Sequence, residues 1–162
     1  MNALHRMERF LDQHMIPFEV VAHPHSQTSA ETARAAGVTP DRLAKGVLLE
    51  GMGCQMVAMI PADKEVQLGK LGLDHGMAFS LADEASVSKL FSECDTGVVP
   101  GLPNAWGVEM IWDDALMAQP DIFLEAGDHK RLLHIKTRYL RDVFGDAPHC
   151  RFSEPRMDRD HG

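Results

Sequence analysis

Residues 46–60 constrain the fold more than any other stretch. Gly46-Val47-Leu48-Leu49 reads as a short buried strand, Glu50-Gly51-Met52-Gly53 as a turn, and Gln55 to Ile60 as a return strand. Two apolar runs separated by so few residues pair as an antiparallel hairpin, because a parallel crossover needs a dozen residues or more. Pro61-Ala62-Asp63 breaks the second strand. The chain therefore has a sheet, and the remaining segments must be arranged around it.

Upstream, Leu4, Met7, Phe10 and Leu11 recur at helical spacing over about 3–14, with Pro17 as terminator. Phe18 to His23 reads as a strand stopped by Pro24. Thr28 with Glu31 forms a capping box, and Gly37 sits at a C-cap position, so the pattern predicts a helix over about 29–36. Thr39-Pro40 predicts a second, brief helix start. Downstream, Leu68 and Leu71 suggest a small helix before a flexible Gly72 to Gly76 stretch, and Asp83 caps a helix carrying Val87, Leu90 and Phe91. Strands are expected at Val108–Trp112, Ile122–Glu125 and Leu132–Ile135, then a helix capped by Thr137 and carrying Tyr139, Leu140, Val143 and Phe144. Residues 147–162 are polar and aperiodic and read as a loose C-terminal tail.

Helices fall between short strands without a regular βαβ rhythm. That favours an α+β domain over residues 1–146: a mixed, mostly antiparallel, curved sheet flanked by helices. With 162 residues and no linker or repeat, one domain is expected. Cys54, Cys94 and Cys150 are too dispersed for a disulfide frame or zinc knuckle and suit a reducing compartment. Nothing approaches the roughly 18 apolar residues of a membrane span, and the polar N-terminus lacks a signal peptide's apolar core, so the expected location is the cytoplasm. A net charge of −8 disfavours broad binding to a phosphate backbone; any RNA contact is expected to be local.

No GxSxG elbow, Walker loop, HExxH or GxGxxG after a strand is present. His23, His25 and His129 raise a metal reading, but two histidines two apart across Pro24 are weak support, and no metal or other cofactor is expected. Lys45, among Leu43, Ala44, Gly46 and Val47, is either a lysine whose stem covers apolar surface while its head reaches water, or an ammonium aimed into a cleft. The Gly- and Pro-rich run from Gly97 to Gly107 is either a structural loop or a backbone that approaches a ligand at Gly101 and offers N–H groups to an oxyanion. Gly127-Asp128-His129 is either an ordinary turn or a pocket wall. The methionines and Trp106 and Trp112 read as packing, and Cys94 as a buried thiol.

Several segments, in order, carry a family resemblance: His23-Pro24 with Thr28, Leu43-Ala44-Lys45-Gly46-Val47-Leu48-Leu49, Ile60-Pro61-Ala62, Cys94 to Gly101, and Glu125-Ala126-Gly127-Asp128-His129. Across about Met7 to Phe144 the chain resembles the YbaK/ProX family of free-standing aminoacyl-tRNA deacylases, relatives of the editing domain of bacterial prolyl-tRNA synthetases. The resemblance implies a trans-editing hydrolase that cleaves a small amino acid, alanine or cysteine on proline tRNA among the first to test, from the acceptor end of a mischarged tRNA. It makes Lys45 the residue most closely tied to activity, as holder of the terminal phosphate or aminoacyl group. Gly101 matches the glycine of the family's GxxxP loop, but Ala105 stands where its proline would be, which bears on the shape of the amino-acid pocket.

An aminoacyl ester is already activated, so its hydrolysis needs a positioned water and oxyanion donors rather than a catalytic triad. On this reading Lys45 fixes the terminal nucleotide, and the N–H groups of Gly101 and Leu102 stabilise the oxyanion. His23, Thr28, Pro61, Val99, Pro100, Asn104, Ala105, Gly127 and His129 form the substrate pocket. A partner synthetase is a candidate selector of the tRNA body. The alternative is a non-catalytic module that binds an amino acid, nucleotide or aminoacyl-tRNA.

Overall fold

The hairpin is the centre of the sheet. The structure, a computed structural model, describes residues 2–156. Strand β2 (Leu43–Gly51) pairs antiparallel with β3 (Cys54–Pro61) in unbroken register from Ala44↔Pro61 to Gly51↔Cys54. The connection is tight: Met52 and Gly53 both take positive φ, 50° and 79°, as a two-residue hairpin turn requires.

Strand β1 (Glu19–Ala22) lies at one edge of the sheet. The short strands β4 (Lys64–Val66) and β5 (Ser80–Leu81) follow the hairpin, and then β6 (Met110–Asp113) runs parallel to β3. On the other side β7 (Asp121–Glu125) runs parallel to β2, and β8 (Arg131–Lys136) is antiparallel to both β7 and β1. With β9 (His149–Cys150) beside β6, the sheet order is β1-β8-β7-β2-β3-β6-β9, and β5 pairs with the far end of β2. A separate ribbon joins β4 to β10 (Ser153–Pro155). The sheet is mixed and its longest ladders antiparallel, as expected.

Alternation along β2 sorts its side chains to two faces. Ala44 and Leu48 join the larger core under helices α1 (Ala3–Gln13), α4 (Glu84–Leu90) and α5 (Leu140–Phe144), through Leu4, Met7, Leu11, Val87 and Phe144. On the other face Leu43 packs with Ala33 of α2 (Ser29–Ala36), while Leu49 packs with Leu71 of α3 (Leu68–His75). Lys45 falls between these two patches. No described helix is long and apolar enough to cross a membrane.

The α2 caps are as the sequence predicts. Thr28 accepts from the Glu31 N–H at 3.1 Å, and Gly37 closes the helix at φ 69°. Asp83 likewise accepts from the Ser86 N–H at 2.8 Å. Each such cap is worth about 1 kcal/mol.

Four expectations need correction. The helix at Leu68 does not stop at Gly72 but runs to His75 and ends at Gly76, which takes φ 67°; Gly72 is needed inside the helix because a β-carbon there would meet the Met77 carbonyl oxygen at 2.6 Å. Thr137 opens a single 3₁₀ turn before α5, and its hydroxyl has no partner among the described residues, so it does not cap that helix. The expected strand at Val108 starts only at Met110, since the Val108 N–H closes the preceding 3₁₀ turn on Pro103. Finally, residues 147–156 are no loose tail: Phe152 is fully buried, and the buried Asp113 carboxylate accepts from the N–H groups of Phe152 and Ser153 at 2.9 and 2.8 Å. One aromatic anchor and a carboxylate clamp leave no periodic pattern to read. The rest of that expected tail, 157–162, lies outside the described residues.

Candidate functional site

The parallel pairing of β2 with β7 is two residues long, Leu43↔Phe123 and Ala44↔Leu124. Where it stops, the loop Asp95–Gly101 takes over as neighbour of β7. Asp95 N–H donates to the Gly127 carbonyl at 2.7 Å, and Gly101 N–H to the Glu125 carbonyl at 2.9 Å. A cleft of about 100 Å³ opens in this fork, lined by Lys45 and Gly46 of β2, Glu125 of β7, Gln27 to Ser29 and Thr32 at the start of α2, Gly97 to Val99, and His129. It continues into a wider space of about 380 Å³ walled by Val47, Leu81, Ala82 and Thr96.

Local chemistry shapes each wall. Gly97 takes φ 78° and donates its N–H to the Ser88 hydroxyl at 3.1 Å, which turns the loop back over the sheet. Gly46 leaves room for it. Across the cleft, Asp128 accepts from the Lys130 and Arg131 N–H groups at 3.0 and 2.9 Å and fixes the β7–β8 turn. His129 in that turn sits in the left-handed region at φ 60°, with its ring 5.4 Å from that of His25.

Two charged groups define the electrostatics. Burial pulls the Lys45 ammonium below the ordinary lysine pKa; Arg156 adds to this, and Glu65 and Asp63 pull the other way. Lys45 makes no ion pair among the described residues. Glu125 is only 9% exposed, and burial raises its carboxyl to about 7; the Thr32 hydroxyl lowers it in part, and the Asp128 charge raises it further. Its Oε2 has no hydrogen-bond partner among the described residues.

Of the residues expected in the site, Lys45, Thr28, Val99 and His129 line the cleft. The others do not. Gly101 is buried against β7, where a β-carbon would lie 2.5 Å from Leu124 Cβ, and its N–H is already donated to Glu125. It places the loop; it does not present an oxyanion donor. Leu102 is fully buried in the main core. His23 is buried, with Nδ1 2.7 Å from the Pro24 carbonyl oxygen. Pro61 pairs with Ala44 at the end of β3, and Pro100 is buried in the loop. Asn104 donates to the Val143 carbonyl at 2.8 Å, and Ala105 packs on the core. Gly127 faces Ala3 and Cys94.

Sequence reasoning missed Glu125, Thr32, Gly46 and Gly97 as cleft residues. A signal for Glu125 existed: an acidic residue closing the apolar run Ile122-Phe123-Leu124 with no basic residue at pairing distance along the strand. The metal reading finds no geometric support in its own ligands, since among the described residues no three His, Cys, Asp or Glu side chains come together to hold an ion. Burial pushes the Cys94 thiol up to about 12, which leaves it unreactive.

Residues 23–143 match the sequence profile of the aminoacyl-tRNA editing domain. No curated protein matches the chain. Among solved structures, a proposed trans-editing enzyme for prolyl-tRNA synthetase superposes with TM-score 0.81 at 20% identity, over 95% of this chain and 98% of that one. The hypothetical protein APE2540 gives TM-score 0.81 at 21% identity, over 92% and 99%. A proposed signal transduction protein from Marinobacter aquaeolei gives TM-score 0.73 at 15% identity, over 92% of this chain but 30% of that protein.

Proposed function

The chain belongs to the family of aminoacyl-tRNA editing domains and is an aminoacyl-tRNA deacylase; on that premise we propose that the cleft in the β2–β7 fork holds a small aminoacyl group on the tip of a mischarged tRNA. One observation carries the assignment of the site: Lys45, an ammonium with no ion-pair partner among the described residues, in a cleft shared with Thr28, Val99 and His129. At about 100 Å³ the inner cleft is below the few hundred Å³ of typical ligand pockets and suits a small aminoacyl moiety. The wider space of about 380 Å³ is of a size for the terminal nucleoside.

In the mechanism, Lys45 holds an oxygen of the acceptor end as a point charge, and its partial desolvation strengthens that contact. Water attacks the ester carbonyl, the C–O bond to the ribose breaks, and the amino acid and free tRNA leave. The N–H of Val99, a cleft residue, has no acceptor among the described residues and takes the oxyanion role first expected of Gly101 and Leu102. A net charge of −8 limits contact with the tRNA body, which fits recognition of the acceptor end alone and leaves choice of tRNA to a partner such as a synthetase. A tRNA substrate supports a cytoplasmic location.

The test is a deacylation screen over mischarged tRNAs, starting with alanine and cysteine on proline tRNA, with wild type and Lys45→Ala side by side. The reading expects hydrolysis by wild type and its loss in the variant. Binding of the same tRNAs without hydrolysis would favour the non-catalytic module instead.

A further inference from the structure

The inner cleft is lined by the Lys45 ammonium and the Glu125 carboxyl group, and the two form no ion pair among the described residues. Lys45 and Glu125 lie one step beyond the Ala44↔Leu124 bridge on neighbouring strands, yet neither forms an ion pair among the described residues. Glu125 is more than nine-tenths buried and lines the cleft, and its Oε2 is an orphan acceptor. A buried carboxyl oxygen without a partner is costly to maintain. For packing alone, an apolar side chain would serve the fold better at the end of Ile122-Phe123-Leu124. An ammonium and a buried carboxyl group that do not pair within one small cavity are complementary to a ligand with two poles of its own, whose cation draws the carboxyl into its ionised form.

The aminoacyl ester of the proposed reaction is such a ligand, with a polar carbonyl at one end and an α-ammonium nitrogen two bonds from the carbonyl carbon. We propose that Glu125 receives the α-ammonium group of the aminoacyl ester and thereby restricts the enzyme to substrates with a free amino group. The N–H donors of the bound ammonium satisfy Oε2, and the charge on the ligand replaces the counter-ion the fold omits. The Thr32 hydroxyl, itself 2.6 Å from the Ser26 hydroxyl, holds the carboxyl in place from α2. Lys45, on the opposite strand, then faces the oxygen end of the same group. This inference rests on the deacylase reading for its substrate, while the Glu125 site itself is defined by the cleft.

The experiment compares wild type with Glu125→Gln, which keeps shape and hydrogen bonding but removes the charge, on alanine-charged proline tRNA and on the same tRNA with the alanine N-acetylated. Wild type is expected to prefer the free amino group by about 10- to 100-fold, the range set by one charged hydrogen bond. In Glu125→Gln the preference should shrink to within about threefold, chiefly through a higher KM. Equal rates of wild type on both substrates overturn the proposal. So does an unchanged preference in the variant, and so does a fall in kcat of equal size on both substrates, which would make Glu125 a general base.

A second measurement needs neither turnover nor a variant. L-alanine methyl ester and its N-acetyl derivative are titrated into ¹⁵N-labelled wild type, reading the amide shifts of Thr32 and Ala126. Shifts with the free amine alone support the ammonium site even if no mischarged tRNA is hydrolysed, in which case the deacylase reading falls by itself. No shift with either ester, or the same shift with both, overturns the site.

Discussion

Val99 rides directly over Gly46: a β-carbon placed on Gly46 would sit 2.4 Å from Val99 Cγ1, with Met59 Sδ and Val57 Cγ1 each at 3.2 Å. The loop that forms one wall of the cleft can therefore close on β2 only where β2 has no side chain. Gly46→Ala is expected to push the loop outward, lowering stability by about 1–3 kcal/mol as overpacking does, and to impair deacylation although Lys45 is untouched. Adding Val99→Ala should recover part of both losses. Thermal melts and deacylation rates of the single and double variants check this; a double variant no better than Gly46→Ala alone contradicts it.

Lys45→Ala separates function from folding. The ammonium is partly desolvated and has no ion-pair partner among the described residues, so the fold gains little from it. The melting temperature is expected to stay within a few degrees of wild type, while deacylation falls by about 10² or more, the usual loss when a positioned donor is removed from a hydrolytic site. A collapse of stability in parallel with activity would make Lys45 a structural residue.

Gly101→Ala discriminates between two roles for the loop glycine. A β-carbon there meets Leu124 Cβ at 2.5 Å and the Glu125 nitrogen at 2.9 Å, both on the central strand β7. The variant should therefore lose stability, by about 1–3 kcal/mol, and lose activity with it as Glu125 shifts. An oxyanion role would predict the opposite signature, namely lost kcat in a protein that melts like wild type. Urea unfolding alongside steady-state kinetics distinguishes the two.

These contrasts show where the sequence was legible. The hairpin was readable because two apolar runs flank a turn cluster, and α2 because Thr28, Glu31 and Gly37 mark both its ends. Lys45 stood out because a charge interrupts a buried strand. Glu125 did not, since its significance lies in β2 and β7 parting after one bridge beyond Phe123, and that depends on a loop from positions 95–101 inserting between them. Gly101 was misassigned for the same reason. A glycine required for close approach reads alike whether the approaching partner is a ligand or a neighbouring strand. Phe152 was hidden because its ring is buried among distant residues such as Leu49, Leu71 and Ile111 while its N–H is held by Asp113, and no local period encodes that.

Glu125 also predicts a distinctive pH dependence of stability. Its carboxyl is raised from an ordinary 4.5 to about 7 by burial in the folded protein, with Thr32 opposing and Asp128 reinforcing the shift. Burial pushes Asp128 up as well, but hydrogen bonds from the Lys130 N–H and from Arg131 hold it below its ordinary value, so it stays charged throughout this window. Below about 4.5 both folded and unfolded states keep the Glu125 proton, and the group costs nothing. Between 4.5 and 7 the unfolded chain ionises while the folded one does not, so stability falls as pH rises. Above about 7 both are ionised and the full penalty remains, on the order of 3 kcal/mol. Glu125→Gln removes this contribution, while the other titratable side chains lining the cleft, Lys45 and His129, are present in both proteins. The variant should match wild type near pH 4.5 and exceed it in stability at pH 8, while losing its preference for a free amino group. Urea midpoints at several pH values test this directly. Parallel curves for the two proteins would mean that Glu125 keeps an ordinary pKa, and with it a hydrated carboxylate that has no need of a ligand's ammonium.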